Sequence, residues 1–410
     1  MPNVETLDVL LHGDPIGALT RLPDDRVIFS FNPAYIGDQN RATLGLSFKD
    51  RLGELITKFR PTQTRTLPYF SNLLPEGHLR TYLATQAGVN PTGEFFLLWA
   101  LGMDLPGAVA IRPADPHAWP PSSEGEDELS TDSDRRENAL RFSLAGVQLK
   151  FSAIRDARGG LTIPIKGVGG SWILKLPSRE FVGVPENEFS MMMLAKAVGM
   201  DVPPIELINI ERVENLPKEV SEVRGDALAV QRFDRTADHQ PVHMEDFAQV
   251  FGIYPENKYK RASYSNIAEV IAAESADDDI AEFFKRLVFN TLIGNADMHL
   301  KNWSLLYPDR RRAALAPAYD FISTIAYIRD SNAALNFSKT KRFAGLTESE
   351  LSHLAGKAKL PRKLVLDTAR ETVALFHQHW KAEKPNLPLA REVVRAVEAH
   401  VRTLPIAALG

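Results

Sequence analysis

None of the 410 residues is cysteine. That absence excludes disulfides, thiolate metal sites and a cysteine nucleophile, and it fits a cytoplasmic protein. No apolar run approaches the roughly 20 residues that a membrane-spanning helix needs. Met1 to Gly13 carries acidic residues and no basic, apolar leader, so the chain is expected to be soluble, cytoplasmic and without a membrane partner. Charge of one sign is scarce too: 48 Lys and Arg against 52 Asp and Glu leave a net charge of −4. Such a chain has no global basic field to gather nucleic acid, which leaves only local patches such as Lys339 to Arg342. There is no G-x-S-x-G elbow, no Walker A sequence, no G-x-G-x-x-G and no convincing internal repeat. His12, His78 and His243 lack metal-ligand spacing and read as surface or ordinary histidines.

What is present is enough to fold. Hydrophobic residues make up 44% of the chain, and its length suggests two or three domains at about 100–200 residues each. Residues 1–112 read as strands, then helices. A meander over Val9–Leu11, Ala18–Arg21 and Arg26–Phe31 turns at Pro23-Asp24-Asp25, and Leu44–Phe48 is a further expected strand. Pro106–Ile111 is an expected closing strand. Residues 113–138 are acidic and rich in proline and serine, the composition of a linker. Residues 139–235 return to strands, with Trp172–Leu176 the strongest, and a helix from Pro185 to Met200 whose methionines should pack in a core. From about residue 236 the chain reads as a helical lobe, with helices expected over 243–252, 263–274, 279–294, 348–356, 361–382 and 388–404.

The chemistry concentrates in one stretch. Ile280 to Ile293 has helical apolar spacing and should end at Gly294 and Asn295, which tolerate a left-handed cap. Asp297 to Asn302 then forms a loop, followed by a short strand over Trp303–Tyr307 and a return to Tyr319-Asp320. Asp297 and Asn302 are five apart, the spacing of a kinase catalytic loop, where the Asp takes the hydroxyl proton and the Asn holds a metal. Asp320 is the natural second magnesium ligand, and Lys301 could neutralise the transferring phosphate.

Upstream, the other parts come in a matching order. The small-residue turn Ser143 to Lys150 could cover phosphates with backbone N–H groups. Lys175 sits on a strand, Glu188 on a helix where it could hold that lysine, and Gln231 to Phe233 on a strand that leaves its sheet. Each piece has a plainer reading: a tight turn, an edge-strand lysine, a first-turn acid, a capped polar loop. Their joint order is that of a bilobal protein kinase, an α+β fold.

The same residues carry a resemblance. Phe142-Ser143-Leu144-Ala145-Gly146-Val147-Gln148-Leu149-Lys150, Ile173-Leu174-Lys175-Leu176-Pro177, Asn187-Glu188, Gln231-Arg232-Phe233-Asp234-Arg235, Asn295 to Asn302 and Tyr319-Asp320 together resemble the HipA family. Phe70 to Gly77 and Pro106 to Val109 are similar to that family's N-terminal region. The resemblance implies a serine/threonine kinase acting as the growth-inhibiting toxin of a toxin–antitoxin module. It makes Asp297 the catalytic aspartate and Asn302 and Asp320 the magnesium ligands. Ala145, Gly146, Val147, Gln148, Lys150, Lys175, Gln231, Phe233, His299 and Tyr319 would line the ATP site. Ser143 would be an autophosphorylation site whose added charge of about −1.5 to −2 holds its loop away from ATP. The implied partners are a HipB-like helix-turn-helix antitoxin, operator DNA reached through it, and a protein substrate such as an aminoacyl-tRNA synthetase. Two rivals stay open: a small-molecule kinase, and a kinase-like co-repressor whose chemistry is dispensable.

Overall fold

The computed structural model describes residues 4–115, 150–155, 161–162, 170–178, 180–216, 223–328 and 331–409. The first sheet contains β1 (Thr6–Leu11), β2 (Asp14–Arg21), β3 (Arg26–Phe31), β4 (Thr62–Gln63) and β5 (Val109–Pro113), in the order β4-β3-β2-β1-β5. Its pairings are all antiparallel. In β3 the alternation sends Val27, Phe29 and Phe31 inward, as a two-residue period requires. Phe29 meets Phe31, Phe48, Phe59 and Phe70 with ring centroids 4.7–5.8 Å apart. Each such ring, fully buried, contributes about 1.5–3 kcal/mol.

The second sheet runs β10-β7-β6-β8-β11-β9, built from β6 (Lys150–Arg155), β7 (Leu161–Thr162), β8 (Trp172–Lys175), β9 (Ile205–Asn209), β10 (Val213–Glu214) and β11 (Asp226–Gln231). The helix Val184–Ala197 packs on β9 and β11. Its Met191 and Met192 are fully buried, as the sequence led one to expect.

The third part is a helical lobe with helices Tyr264–Glu274, Asp277–Ile293, Glu348–Lys357, Arg362–Glu383 and Arg391–Val401. Asp277–Ile293 runs through its centre, with Phe283, Phe284, Phe289 and Leu292 buried. Three aspartates open it, where the helix dipole favours negative charge. Gly294 closes it at φ +66°, and a Cβ there would stand 2.5 Å from Ile325. Among the described residues no helix is long and apolar enough to cross a membrane.

Two local expectations fail for one reason. Leu44–Phe48 is not a strand but a single 3-10 turn, Leu46–Phe48. Residues 243–252 are not one helix. They divide into β12 (His243–Asp246) and a short helix, Phe247–Val250. β12 pairs with β13 (Ser304–Tyr307), which pairs with β14 (Ala314–Leu315). Both segments meet across a seam between the first domain and the helical lobe. The Leu46 amide donates to Glu245 Oε1 at 2.9 Å, and the His243 ring bonds the Leu44 carbonyl at 2.8 Å. Asn72 Nδ2 donates to the Ile253 carbonyl at 2.8 Å, and Gln249 Nε2 to the Tyr69 carbonyl at 3.0 Å. Distant partners that satisfy backbone groups override local propensity. His243 is therefore a fully buried seam residue rather than a surface one.

Candidate active site

The loop after Gly294 is held by its own side chains. Asn295 Oδ1 accepts from the Asp297 amide at 3.0 Å. Asn295 Nδ2 donates to Asn290 Oδ1 at 2.9 Å and to the Asp320 carbonyl at 3.2 Å. Asn302 Nδ2 donates to the Asp297 carbonyl at 2.8 Å. The five-residue spacing thus closes a small ring in which Asn302 is buried. The Asp297 carboxylate stays about half exposed, at 51%.

Lys175 ties three parts of the chain together. It projects from β8 and is buried, and its ammonium donates to both Glu188, on the helix Val184–Ala197, and Asp320, beyond the loop. Burial alone would lower its pKa, but the carboxylates of Asp320 and then Glu188 outweigh that and hold it well above the ordinary lysine value. Asp320 sits in the left-handed region at φ +57°, a conformation that Asp tolerates better than most residues. A second clamp holds the same segment. Asn187 Nδ2 donates to the Ser323 carbonyl, and the Ser323 amide donates to Asn187 Oδ1, both at 3.1 Å.

The Tyr319 hydroxyl donates to the Lys301 carbonyl at 2.9 Å and bonds the Ser304 hydroxyl at 2.6 Å, which pins the end of the loop. Its ring lies 5.5 Å from that of Phe233. The Gln231 amide donates to the Pro204 carbonyl at 2.9 Å, so that N–H is already engaged within the fold. His299 is buried, with Nε2 3.9 Å from Asp297 Oδ1. Lys301 has a different setting from the one its position suggested. Its ammonium bonds the Asn72 carbonyl at 2.8 Å and Asn72 Oδ1 at 3.2 Å, and lies 3.4 Å from both Glu76 and Asp246. Its charge is matched by two carboxylates, one of them from the first domain.

Four residues around the loop escaped sequence reasoning as site residues: Asn72, Glu76, Lys258 and Tyr259. Lys258 Nζ bonds Glu76 at 2.9 Å. The Tyr259 hydroxyl donates to Asp297 Oδ1. The one available signal was the Phe70–Gly77 motif, which carries Asn72 and Glu76. Ser143, Ala145, Gly146, Val147 and Gln148 lie outside the described residues. Lys150 is described by its backbone, which pairs with Lys175 in the β6–β8 register.

Comparison with known families and proteins matches this architecture. Residues 7–112 match the HipA N-terminal domain and residues 142–380 the HipA-like C-terminal domain. Y4dM of Sinorhizobium fredii, whose name as a kinase is provisional, is 56% identical over 409 residues, covering 99% of this chain and 98% of that protein. The serine/threonine-protein kinase toxin HipA of Shewanella oneidensis is 26% identical over 299 residues, 65% of each protein. Among solved structures, a chain in the complex of HipA, HipB and operator DNA from Shewanella oneidensis superposes with a TM-score of 0.73 at 21% identity, covering 98% of this chain and 96% of that one. The fold is accordingly α+β and kinase-like, with an added N-terminal domain and a mainly helical C-terminal lobe.

Proposed function

The chain belongs to the HipA family, and from that premise we propose that it is an ATP- and magnesium-dependent serine/threonine protein kinase, the growth-inhibiting toxin of a toxin–antitoxin module. One observation carries the reading: the Lys175 ammonium bridges Glu188 and Asp320, 13 and 145 residues away in sequence. Phosphoryl transfer needs a fixed cation for the phosphates, an acid to hold that cation, and oxygen donors for the metal. Lys175, Glu188, Asn302 and Asp320 supply those groups. The donor set suits a hard divalent cation, since the amide oxygen of Asn302 and the carboxylate of Asp320 are both oxygen ligands. Magnesium held there would neutralise charge on the phosphates.

The chain's own groups do the rest. Asp297, half exposed and fixed through its backbone by Asn295 and Asn302, accepts the proton of the acceptor hydroxyl. Tyr319 and Phe233 offer rings beside the nucleotide. Lys301 serves as a fastening of the loop to the first domain. Ser143 is the self-modified residue that switches the enzyme off. The division into 1–112, a 113–138 linker, 139–235 and 236–410 belongs to the same reading. So do a helix-turn-helix antitoxin, operator DNA contacted through it, and a protein substrate that includes an aminoacyl-tRNA synthetase among its candidates.

The test is the intact mass of the purified chain before and after magnesium-ATP, with phosphosite mapping and Asp297→Ala as control. One phosphate on Ser143, absent in the control, supports the kinase and its off-switch. A chain that gains melting temperature with magnesium-ATP yet transfers no phosphate to itself or to aminoacyl-tRNA synthetases would move the reading to the two rivals, a kinase of some other molecule or the co-repressor.

A further inference from the structure

We infer that Tyr259 is a place-holder for the acceptor hydroxyl, seated on Asp297 in the resting enzyme and displaced when an acceptor arrives. The inference rests on Asp297 being the catalytic base, as proposed above. In the transfer, the acceptor oxygen bonds to the γ-phosphorus, the bond from that phosphorus to the bridging oxygen of ADP breaks, and the hydroxyl proton passes to Asp297. An acceptor must therefore present an O–H to the Asp297 carboxylate. Tyr259 does that already, donating its O–H to Oδ1.

The surroundings suit a gate. The Tyr259 ring stands edge-on to His299, with centroids 4.9 Å apart, and Lys258 Nζ lies 5.8 Å from its centroid. The backbone on either side is anchored: the Leu300 amide donates to the Lys258 carbonyl at 3.2 Å and the Lys260 amide to the Asn257 carbonyl at 2.8 Å, while the Lys258 side chain is salt-bridged to Glu76 at 2.9 Å. Tyr259 as a residue is 45% exposed. The side chain can thus swing out into solvent by rotation about its own bonds, without opening a core, while its backbone stays fixed. Tyr259 is a positioning residue here: it acts on the reaction through Asp297.

Basal ATP hydrolysis tests this without knowledge of the natural acceptor. Water then takes the acceptor's place, giving ADP and phosphate. Wild type, Tyr259→Phe, Asp297→Asn and the double variant are compared at saturating magnesium-ATP. Removing only the hydroxyl keeps the ring on His299, so melting temperature should hold. Taking this donor off the carboxylate should raise hydrolysis by about threefold to tenfold, the scale of a typical net hydrogen bond. The double variant should be as silent as Asp297→Asn. An unchanged or slower rate for Tyr259→Phe would overturn the gate, as would phosphate mapped to Tyr259 itself. If magnesium-ATP fails to raise the melting temperature of the wild type, the kinase reading falls and the gate falls with it. A rise in melting temperature without faster hydrolysis in Tyr259→Phe sinks the gate alone.

Discussion

Glu245 makes the seam between the first domain and the helical lobe sensitive to pH. It is fully buried, and Oε1 accepts from the Leu46 amide at 2.9 Å and from the Tyr307 hydroxyl. Oε2 has no hydrogen-bond partner among the described residues. Burial raises its pKa from 4.5 to about 8, against the opposing pull of Tyr307 and Leu46. The folded state therefore holds a proton between pH 4.5 and about 8 that the unfolded chain releases, and stability falls as pH rises through that window. His243, two residues away, works in the other sense. Burial lowers its pKa from 6.5 to about 4, so between those values the unfolded chain binds more protons and stability rises with pH. The two slopes oppose one another up to about pH 6.5. Above it only the Glu245 slope remains, at about 1.4 kcal/mol per pH unit. The slope falls to half of that at the folded pKa, so the expected loss from pH 6.5 to 8 is about 1.5 kcal/mol. Glu245→Gln keeps the shape and the acceptor for Leu46 but cannot ionise, so its curve should be flat over that range. Urea denaturation at pH 6.5, 7, 7.5 and 8 measures both. Parallel curves for wild type and variant would refute the burial argument.

Two further substitutions separate roles around the loop. Lys175→Met leaves Glu188 and Asp320 facing each other without their shared cation; stability should fall by about 3–5 kcal/mol and the melting-temperature rise with magnesium-ATP should vanish. A loss under about 1 kcal/mol, read from the same urea titration, would show that the bridge is not held in solution. Lys301→Met removes the cation between Glu76 and Asp246; it should cost about 1–3 kcal/mol and leave the nucleotide-induced melting shift in place. Unchanged stability with phosphoryl transfer lost would return Lys301 to the phosphate.

Local sequence determined the elements whose cause is local. The apolar spacing of Ile280–Ile293 and the tolerance of Gly294 for positive φ were enough to end the central helix where it ends and to place Asp297 just beyond it. Short apolar runs on either side of the Pro23-Asp24-Asp25 turn were enough to place β1 to β3. That Lys175, Glu188 and Asp320 meet, and that Asn302 closes back on Asp297, agrees with the order in which the sequence sets them out. Tertiary structure alone decided what lies between them. That β12 is a strand depends on β13 some 60 residues later, and that Leu44–Phe48 is not one depends on Glu245 and His243 claiming its backbone. Nothing in the periodicity of either segment records a partner so far away. The same holds for Glu76 and Asn72 on Lys301 and for Tyr259 on Asp297. A single side chain that reaches across a seam has no period and no spacing rule, and only the folded chain brings its two ends together.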